Sequence, residues 1–304
     1  MSRSLKAHIL LVLVTLVWGG TFVLIKAALR DATPLLFNAI RLSLAGLVLA
    51  AVYRRELART SGGALRAGIV VGVFLWLGFE FQTTGLALTT PSKSAFLTGF
   101  SVILVPVFLA IGWGRSANRW TMGGVGTALA GLYLMTVPAG KGGLNLESIN
   151  RGDLLTIGCA VCFALQIIFM GRAMQEHRFE QIATLQALVC APLMWAMVPV
   201  SEGWHIHWTA AVVWGILVTG LLGTAAAFSV QAWAQQFTPP THTALIFLLE
   251  PVFAWITSYL VLGENLGRRA GLGALLILVG ILLSELKGAA AATGELPAEV
   301  RPGD

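Results

Sequence analysis

Residues 8–29 read HILLVLVTLVWGGTFVLIKAAL, and this apolar stretch decides the class of fold. A helix rises about 1.5 Å per residue, so about 20 apolar residues cross a hydrocarbon core about 30 Å thick. The stretch follows Arg3 and Lys6, as in a signal peptide, but its apolar character continues past Trp18 to Ile25, which is too long for one. We therefore interpret it as a retained membrane-spanning helix.

The whole chain shares this character. Of its 304 residues, 57% are apolar and 11% are charged, with a mean hydropathy of +0.81, whereas soluble domains carry roughly 25% charged residues. The net charge is +6, but the basic residues lie between apolar runs and form no patch for nucleic acid. These features exclude a soluble enzyme and predict an all-α integral protein of the cell membrane, here a bacterial inner membrane, whose surroundings are the lipid bilayer.

Apolar runs separated by charged residues, glycine or proline predict ten membrane-spanning helices. They cover residues 8–29, 34–53, 66–89, 94–113, 119–138, 153–173, 180–200, 209–236, 242–262 and 267–286. Residues 287–304 are rich in Ala, Gly and Pro and predict a disordered tail. Of the Lys and Arg residues in the loops, 12 fall on the side of the N-terminus and 7 on the other. This bias predicts that both termini are cytoplasmic.

The sequence repeats itself at an offset of 145 to 149 residues, since residues 18–41 align with residues 163–186 and later matches keep the same order. The repeat predicts two five-helix units, residues 8–138 and 153–286. Because five is odd, the second unit enters the membrane from the opposite side. Inverted repeats are an architecture of secondary transporters, which hold their substrate near the midplane between the two halves.

Four of the predicted helices carry an aromatic residue three positions before a polar one. The pairs are Trp18/Thr21, Phe79/Gln82, Phe163/Gln166 and Phe228/Gln231. Residues at i and i+3 share one face of a helix, and polar groups at this depth face the bundle interior or a wet cavity. We predict that these eight residues bind a small amphiphile such as an amino acid. Helix packing, with glutamines bonding across an interface, is the alternative.

Three charged residues that fall in the predicted helices are candidates for a role within the membrane, namely Arg41, Glu80 and Glu250. Each could bind a substrate charge or carry a proton, because charges within a membrane are costly and usually functional. An interior ion pair, or a bond to backbone freed at a helix interruption, is the alternative role.

Glycine and proline predict where helices bend. We assign hinges to Gly78, Pro106, Gly220 and Pro251, which would allow the cavity to open and close. The fifth and tenth helices share a Gly-x6-Gly motif, at residues 124–131 and 273–280, and few polar residues. We expect these helices to face lipid or a second copy of the chain. The oligomeric state predicted is therefore a monomer or a homodimer.

Metal and cofactor chemistry finds little support in the sequence. His205 and His207 lie in one short loop without further ligands nearby, and Cys159 and Cys162 lie inside an apolar helix, where small packing residues are expected. A nucleophile elbow and a phosphate loop are both absent from the sequence. We predict no metal, no cofactor and no enzymatic activity.

Several short motifs occur in the same order as in a known family. They are Trp18-Gly19, Arg41-x3-Ala45, Pro91, Ala95, Pro106, Glu250-Pro251 and Leu262-Gly263-Glu264. With them the chain resembles the ten-helix, EamA-type branch of the drug/metabolite transporter superfamily, and within it the YddG-like amino-acid exporters. The first half departs from the pattern, with Gly112-Trp113-Gly114 where the second half has Leu-Gly-Glu. The resemblance implies gradient-linked export of small metabolites through a central cavity.

Secondary transport of small organic solutes, amino acids first, is therefore the predicted function. Transport of phosphorylated solutes or nucleotide sugars would need a concentrated cationic site, and only Arg41 lies deep in a span. Efflux of cationic drugs by compact exporters relies on an acidic residue in the first helix, which residues 9–25 lack. A membrane-embedded enzyme or a scaffold is the alternative from another class.

Overall fold

The computed structural model describes residues 2–88, 91–114, 117–137, 150–201, 203–262 and 267–284. In these residues the regular structure is helical, and the isolated bridge between Ala32 and Ile206 is the single pairing of extended backbone. Seven helical segments of the described chain are long and apolar enough to cross a membrane. The predicted tail, residues 287–304, lies outside the described residues.

In its described residues, the first half of the chain contains seven helices. They are α1 (Arg3–Ala28), α2 (Pro34–Val52), α3 (Arg54–Leu57), α4 (Gly62–Leu88), α5 (Pro91–Gly99), α6 (Ser101–Trp113) and α7 (Arg119–Thr136). The second half contains α8 (Arg151–Glu176), α9 (Phe179–Ser201), α10 (Ala210–Gly220), α11 (Ala227–Ala234), α12 (Pro240–Phe247), α13 (Leu249–Leu262) and α14 (Arg268–Leu283). A π-helical turn, Leu221–Ala226, joins α10 to α11.

Some helices begin earlier than the apolar runs predict, because polar caps extend them. The helix α1 begins at Arg3 and not at residue 8, since the backbone N–H of Leu5 donates to Ser2 Oγ at 3.2 Å. Asn150 and Asp153 form a capping box at the start of α8, with bonds of 3.0 and 2.9 Å. These caps satisfy N–H groups that would otherwise lack partners.

Two predicted spans are each divided into two helices. The break between α5 and α6 lies at Phe100, and that between α12 and α13 lies at Leu248. Pro106 lies inside α6, whereas Pro251 lies in the first turn of α13, where a missing N–H costs nothing. The chain is therefore interrupted before each proline and not at it.

Helix starts recur at the offsets found in the sequence. The helices α2 and α9 begin 145 residues apart, at Pro34 and Phe179. The starts of α5 and α12 are 149 residues apart, as are those of α7 and α14. The two halves thus share helix boundaries as well as residues.

Two pairs of equivalent helices pack antiparallel. Between α2 and α9, Trp195 Nε1 donates to Ser43 Oγ at 2.8 Å, and the rings of Tyr53 and Phe179 lie 6.0 Å apart. Since Tyr53 follows the end of α2 and Phe179 begins α9, the two helices run in opposite directions.

The helices α7 and α14 meet through their shared glycine motif. A Cβ added to Gly280 would lie 2.5 Å from the carbonyl oxygen of Gly124, and one added to Gly273 would lie 2.5 Å from that of Gly131. The prediction that these helices face lipid or a second copy is therefore wrong for the glycine faces, which contact each other because no side chain separates the backbones. Other side chains of α14, such as Leu272, remain exposed.

Polar contacts tie the halves together at both ends of the bundle. At one end, here called the arginine-rich end because Arg54, Arg55, Arg59 and Arg178 lie there, Glu56 pairs with Arg178 and raises the pKa of that guanidinium. At the opposite end, the backbone N–H of His207 donates to the carbonyl of Asp31 at 2.7 Å. Thr209 Oγ1 also donates to the Asp31 carboxylate, at 2.8 Å.

Candidate substrate site

The four aromatic residues of the predicted site meet in one cluster, which we call the ring cluster. The ring of Phe79 lies 5.7 Å from that of Phe163 and 6.4 Å from that of Phe228. The ring of Trp18 lies 5.7 Å from that of Phe228. Tilted and edge-to-face contacts at these distances are the arrangement that aromatic side chains prefer. Two helices from each half, α1 and α4 with α8 and α11, thus meet at the seam between the halves.

The π-helical turn helps to position Trp18. Its indole Nε1 donates to the carbonyl of Gly223 at 2.7 Å, and a π-helical turn leaves carbonyls less fully used by the helix itself. Phe247 adds a fifth ring, 5.0 Å from Trp18. It was not among the predicted pairs, although Glu250 follows it at i+3 and the same spacing could have indicated it. Thr21 donates to the carbonyl of Trp18 at 2.9 Å, so its hydroxyl is bonded within its own helix.

The glutamines of the second half bond to one another. Gln231 Nε2 donates to Gln166 Oε1, and Gln166 Nε2 donates to Gln186 Oε1, each at 3.1 Å. Gln231 Nε2 also approaches Gln235 Oε1 at 3.1 Å, and Gln235 Nε2 donates to the carbonyl of Ile167 at 2.9 Å. These four side chains, all buried, form the glutamine network. Gln82, their counterpart in α4, is half-buried.

Arg41 joins the ring cluster from the first half. Its side chain is only 8% exposed, and its guanidinium carbon lies 4.9 Å above the ring of Phe79. Arg41 Nε donates to Asn38 Oδ1 at 2.9 Å, and Asn38 Nδ2 donates to Thr83 Oγ1 at 3.1 Å. Sequence analysis missed Asn38 and Thr83, although Asn38 lies at i−3 and therefore on the face of Arg41.

The remaining candidate residues lie around this centre. Glu80 is buried on α4, beside Phe79 in sequence. The carbonyl of Glu250 in α13 lies close to α1, because a Cβ added to Gly19 would come 2.8 Å from it. Gly78 lies inside the continuous helix α4, and its missing side chain leaves room for the ring of Phe163. Gly220 ends α10 and directly precedes the π-helical turn.

One cavity and a pair of histidines lie away from the ring cluster. A cavity of about 400 Å³ at the arginine-rich end is lined by Val52, Tyr53, Arg54, Arg55, Glu56 and Glu180. The rings of His205 and His207 lie 4.7 Å apart, and the described part of the chain holds no group of three side chains suited to a metal ion. The rings are packed on one another in this conformation, so a solute would need them to separate.

The fold, with seven helical segments able to cross a membrane among the described residues, is that of a polytopic membrane protein. The model of the EamA-like transporter family matches residues 5–137 and again residues 150–286. The chain belongs to this family, within the drug/metabolite transporter superfamily, and is a multi-pass membrane transporter of small solutes.

Individual relatives extend over nearly the whole chain. An uncharacterized transporter of Archaeoglobus fulgidus is 30% identical over 285 residues, which cover 94% of this chain and 87% of that protein. A "Probable amino-acid metabolite efflux pump" of Salmonella typhimurium is 24% identical, covering 92% of this chain and 95% of the relative. A protein of known crystal structure superimposes with a TM-score of 0.78 at 17% identity, covering 94% and 99% of the two chains, and so shares the fold.

Proposed function

We propose that this protein is a secondary transporter that exports small organic metabolites, amino acids first, by alternating access between two inverted five-helix repeats. The observation that carries the proposal is the ring cluster, in which aromatic side chains from both halves meet at their seam. Substrate sites of inverted-repeat transporters lie at such a seam.

The antiparallel contacts support the inverted arrangement. Because α7 and α14 are equivalent helices, Gly124 contacts Gly280 while Gly131 contacts Gly273. Such a reciprocal contact is what two similar units related by a two-fold axis would make. The family model matching the chain twice, at residues 5–137 and 150–286, supports the same division.

The chemistry of the site favours an amino acid. The rings offer apolar faces, while Arg41, which packs on Phe79, offers a cation and the glutamine network offers amides. An amphiphile with a charged end and an apolar end satisfies both. The name of the Salmonella relative, "Probable amino-acid metabolite efflux pump", agrees with this choice.

Alternating access requires the rings to part. We propose that the halves rock about the π-helical turn that follows Gly220 and about the helix break before Pro251, where regular α-helical hydrogen bonding is not continuous. Gly78 and Pro106 would bend within continuous helices. In this scheme both termini and the arginine-rich end are cytoplasmic, since the Lys and Arg residues of the loops favour that side.

Transport measurements test the proposal. Purified protein in liposomes is loaded with radiolabelled amino acids, and efflux is followed with and without an imposed pH gradient. We expect Phe79→Ala to slow efflux about tenfold or more, because the ring centres the cluster, while Ile69→Ala, at an exposed position of the same helix, leaves it unchanged. Normal efflux by Phe79→Ala would refute the site.

The proton pathway is tested by two further variants, Glu80→Gln and Glu250→Gln. If one of these carboxylates carries the coupled proton, its variant still binds amino acid but loses the response to the pH gradient. If both variants keep the full response to the pH gradient, neither Glu80 nor Glu250 carries the coupled proton.

Topology is tested by cysteine labelling. Ser2 and Asn150 precede the equivalent helices α1 and α8, and both are exposed. Inverted repeats require Ser2→Cys and Asn150→Cys to react with an impermeant maleimide from opposite sides of the membrane. Labelling of both from the same side would contradict the inverted arrangement. The three native cysteines are buried, so they contribute little background.

A further inference from the structure

Arg41 is a buried cation in the middle of α2. It is the eighth of the 19 residues of this helix, and its side chain is 8% exposed. Charged side chains at such depth pair with an opposite charge, bond to backbone or serve a ligand. The identity of its partners therefore decides its role.

The partners of Arg41 are neutral. Among the described residues, the ion pairs within 4.0 Å both belong to Glu56, which contacts Arg59 and Arg178 at the arginine-rich end. Arg41 instead packs on Phe79 and donates one hydrogen bond, from Nε to Asn38. A guanidinium has five N–H donors, so the terminal nitrogens keep donors that can bind two oxygens of one anion side by side.

The support around Arg41 holds the guanidinium in a defined orientation. Asn38 is fixed in turn by its bond to Thr83 on α4, and the ring of Phe79 also belongs to α4. Arg41 is thus braced against the helix that contributes the centre of the ring cluster. Such preorganisation lowers the entropy lost when a ligand binds.

We propose that Arg41 anchors the carboxylate of the transported solute, with the ring cluster holding the solute's apolar part. This inference rests on the proposed function, because it assumes that the ring cluster is the substrate site. A single guanidinium matches a monoanion such as a carboxylate. A phosphorylated solute would need further cations, and the described ring contacts bring one cation, Arg41, onto the cluster.

Binding measurements with three compounds test this anchor. L-Phenylalanine carries both charges, 3-phenylpropanoate carries only the carboxylate, and 2-phenylethylamine carries only the ammonium. With wild-type protein in detergent, we expect 2-phenylethylamine to bind about 10- to 100-fold more weakly than 3-phenylpropanoate, the loss expected for charge-assisted hydrogen bonds. Equal binding of the two compounds, or no binding of any of the three, would overturn the inference.

Variants assign the preference to Arg41. We expect Arg41→Gln, which introduces the residue found at the equivalent position 186, to abolish the preference for the carboxylate. Arg41→Lys should keep part of it. The matched control is Arg55→Gln, at an exposed arginine, which should keep all of it. A preference that survives Arg41→Gln would refute the anchor.

Asn38→Asp separates this role from a structural one. The new carboxylate would pair with Arg41 inside the protein, so the melting temperature should hold or rise while the affinity for 3-phenylpropanoate falls about 10-fold or more. If Arg41 serves only the fold, ligand affinity would not fall. Binding that depends on Arg41 without flux in liposomes would support the anchor and refute export. Flux of amino acids in liposomes by a protein that binds 3-phenylpropanoate and 2-phenylethylamine equally well would support export and refute the anchor.

Discussion

The two halves of the molecule have equivalent helices but different polar chemistry at their common seam. The first half presents Arg41, a cation with neutral partners, whereas the second half has Gln186 at the equivalent position. Gln186 is absorbed into the glutamine network. The shared features, namely helix starts, interruptions and glycine contacts, build the scaffold. Under the proposed function, we expect selectivity to arise where the repeats have diverged, while their similarity preserves the packing between them.

The largest loss of stability is expected at the glycine contacts between α7 and α14, which the two halves share. We expect Gly131→Val and Gly280→Val, at equivalent positions of the two halves, each to lower the free energy of unfolding by about 3 kcal/mol, because each added side chain meets the backbone of the other helix. Thermal unfolding in detergent, followed by circular dichroism, measures this. The control is Gly126→Val, where no atom lies within 4 Å of an added Cβ. Unequal costs at the two glycines would break the equivalence of the halves.

The second-largest loss of stability is expected at a glutamine position where the hydrogen bonding of the two halves differs. Gln231→Leu removes the donor to Gln166 and Gln235, and we expect it to cost about 2 kcal/mol of stability because buried amide oxygens lose their partner. The equivalent Gln82→Leu should cost less than about 0.5 kcal/mol, since Gln82 is half-buried and lies outside the glutamine network. The same unfolding measurement applies, and similar costs would show that the amides have not diverged.

A smaller effect is expected at Trp18, whose equivalent in the second half is Phe163. Trp18→Phe makes the two positions alike, keeps a ring in the cluster and removes the indole bond to Gly223. We expect a loss of about 1 kcal/mol in stability. Phe163→Tyr serves as a control that changes a ring without removing a bond to the π-helical turn. An unchanged melting temperature for Trp18→Phe would mean that the turn does not depend on this bond.

The smallest effect is expected at the surface, where Glu56 of the first half pairs with Arg178 of the second. Exposed ion pairs contribute little and are screened by salt. We expect Glu56→Gln to lower the melting temperature slightly at low ionic strength and not at all at about 1 M salt. A loss that persists in high salt would show that the effect does not come from the charge of Glu56.

Much of the helical layout could be predicted from apolar runs, because membrane-spanning helices need long apolar stretches. The helix breaks at Phe100 and Leu248 could not be predicted, since neither residue is one that usually ends a helix. The sequence instead indicated bends at Pro106 and Pro251. The helix start at Arg3 also escaped prediction. Its cause is a single polar cap at Ser2, which hydropathy does not register.

The candidate site was partly within reach of the sequence. Spacing of i to i+3 selected four rings that the structure brings together, because one face of each helix lines the seam. Pairing between side chains depends on how helices pack, so the bonds of Gln166 to Gln186 and of Asn38 to Thr83 were not predicted. Gln235 could have been noticed, since it lies one turn beyond Gln231.

The reciprocal glycine contact has a consequence for the origin of such chains. A surface that pairs with its own image needs no partner of different sequence. A half-length ancestor carrying Gly124 and Gly131 could form the same contact with a second copy inserted upside down. Gene duplication and fusion would then preserve an existing dimer, and each half would be free to evolve its own chemistry at the seam.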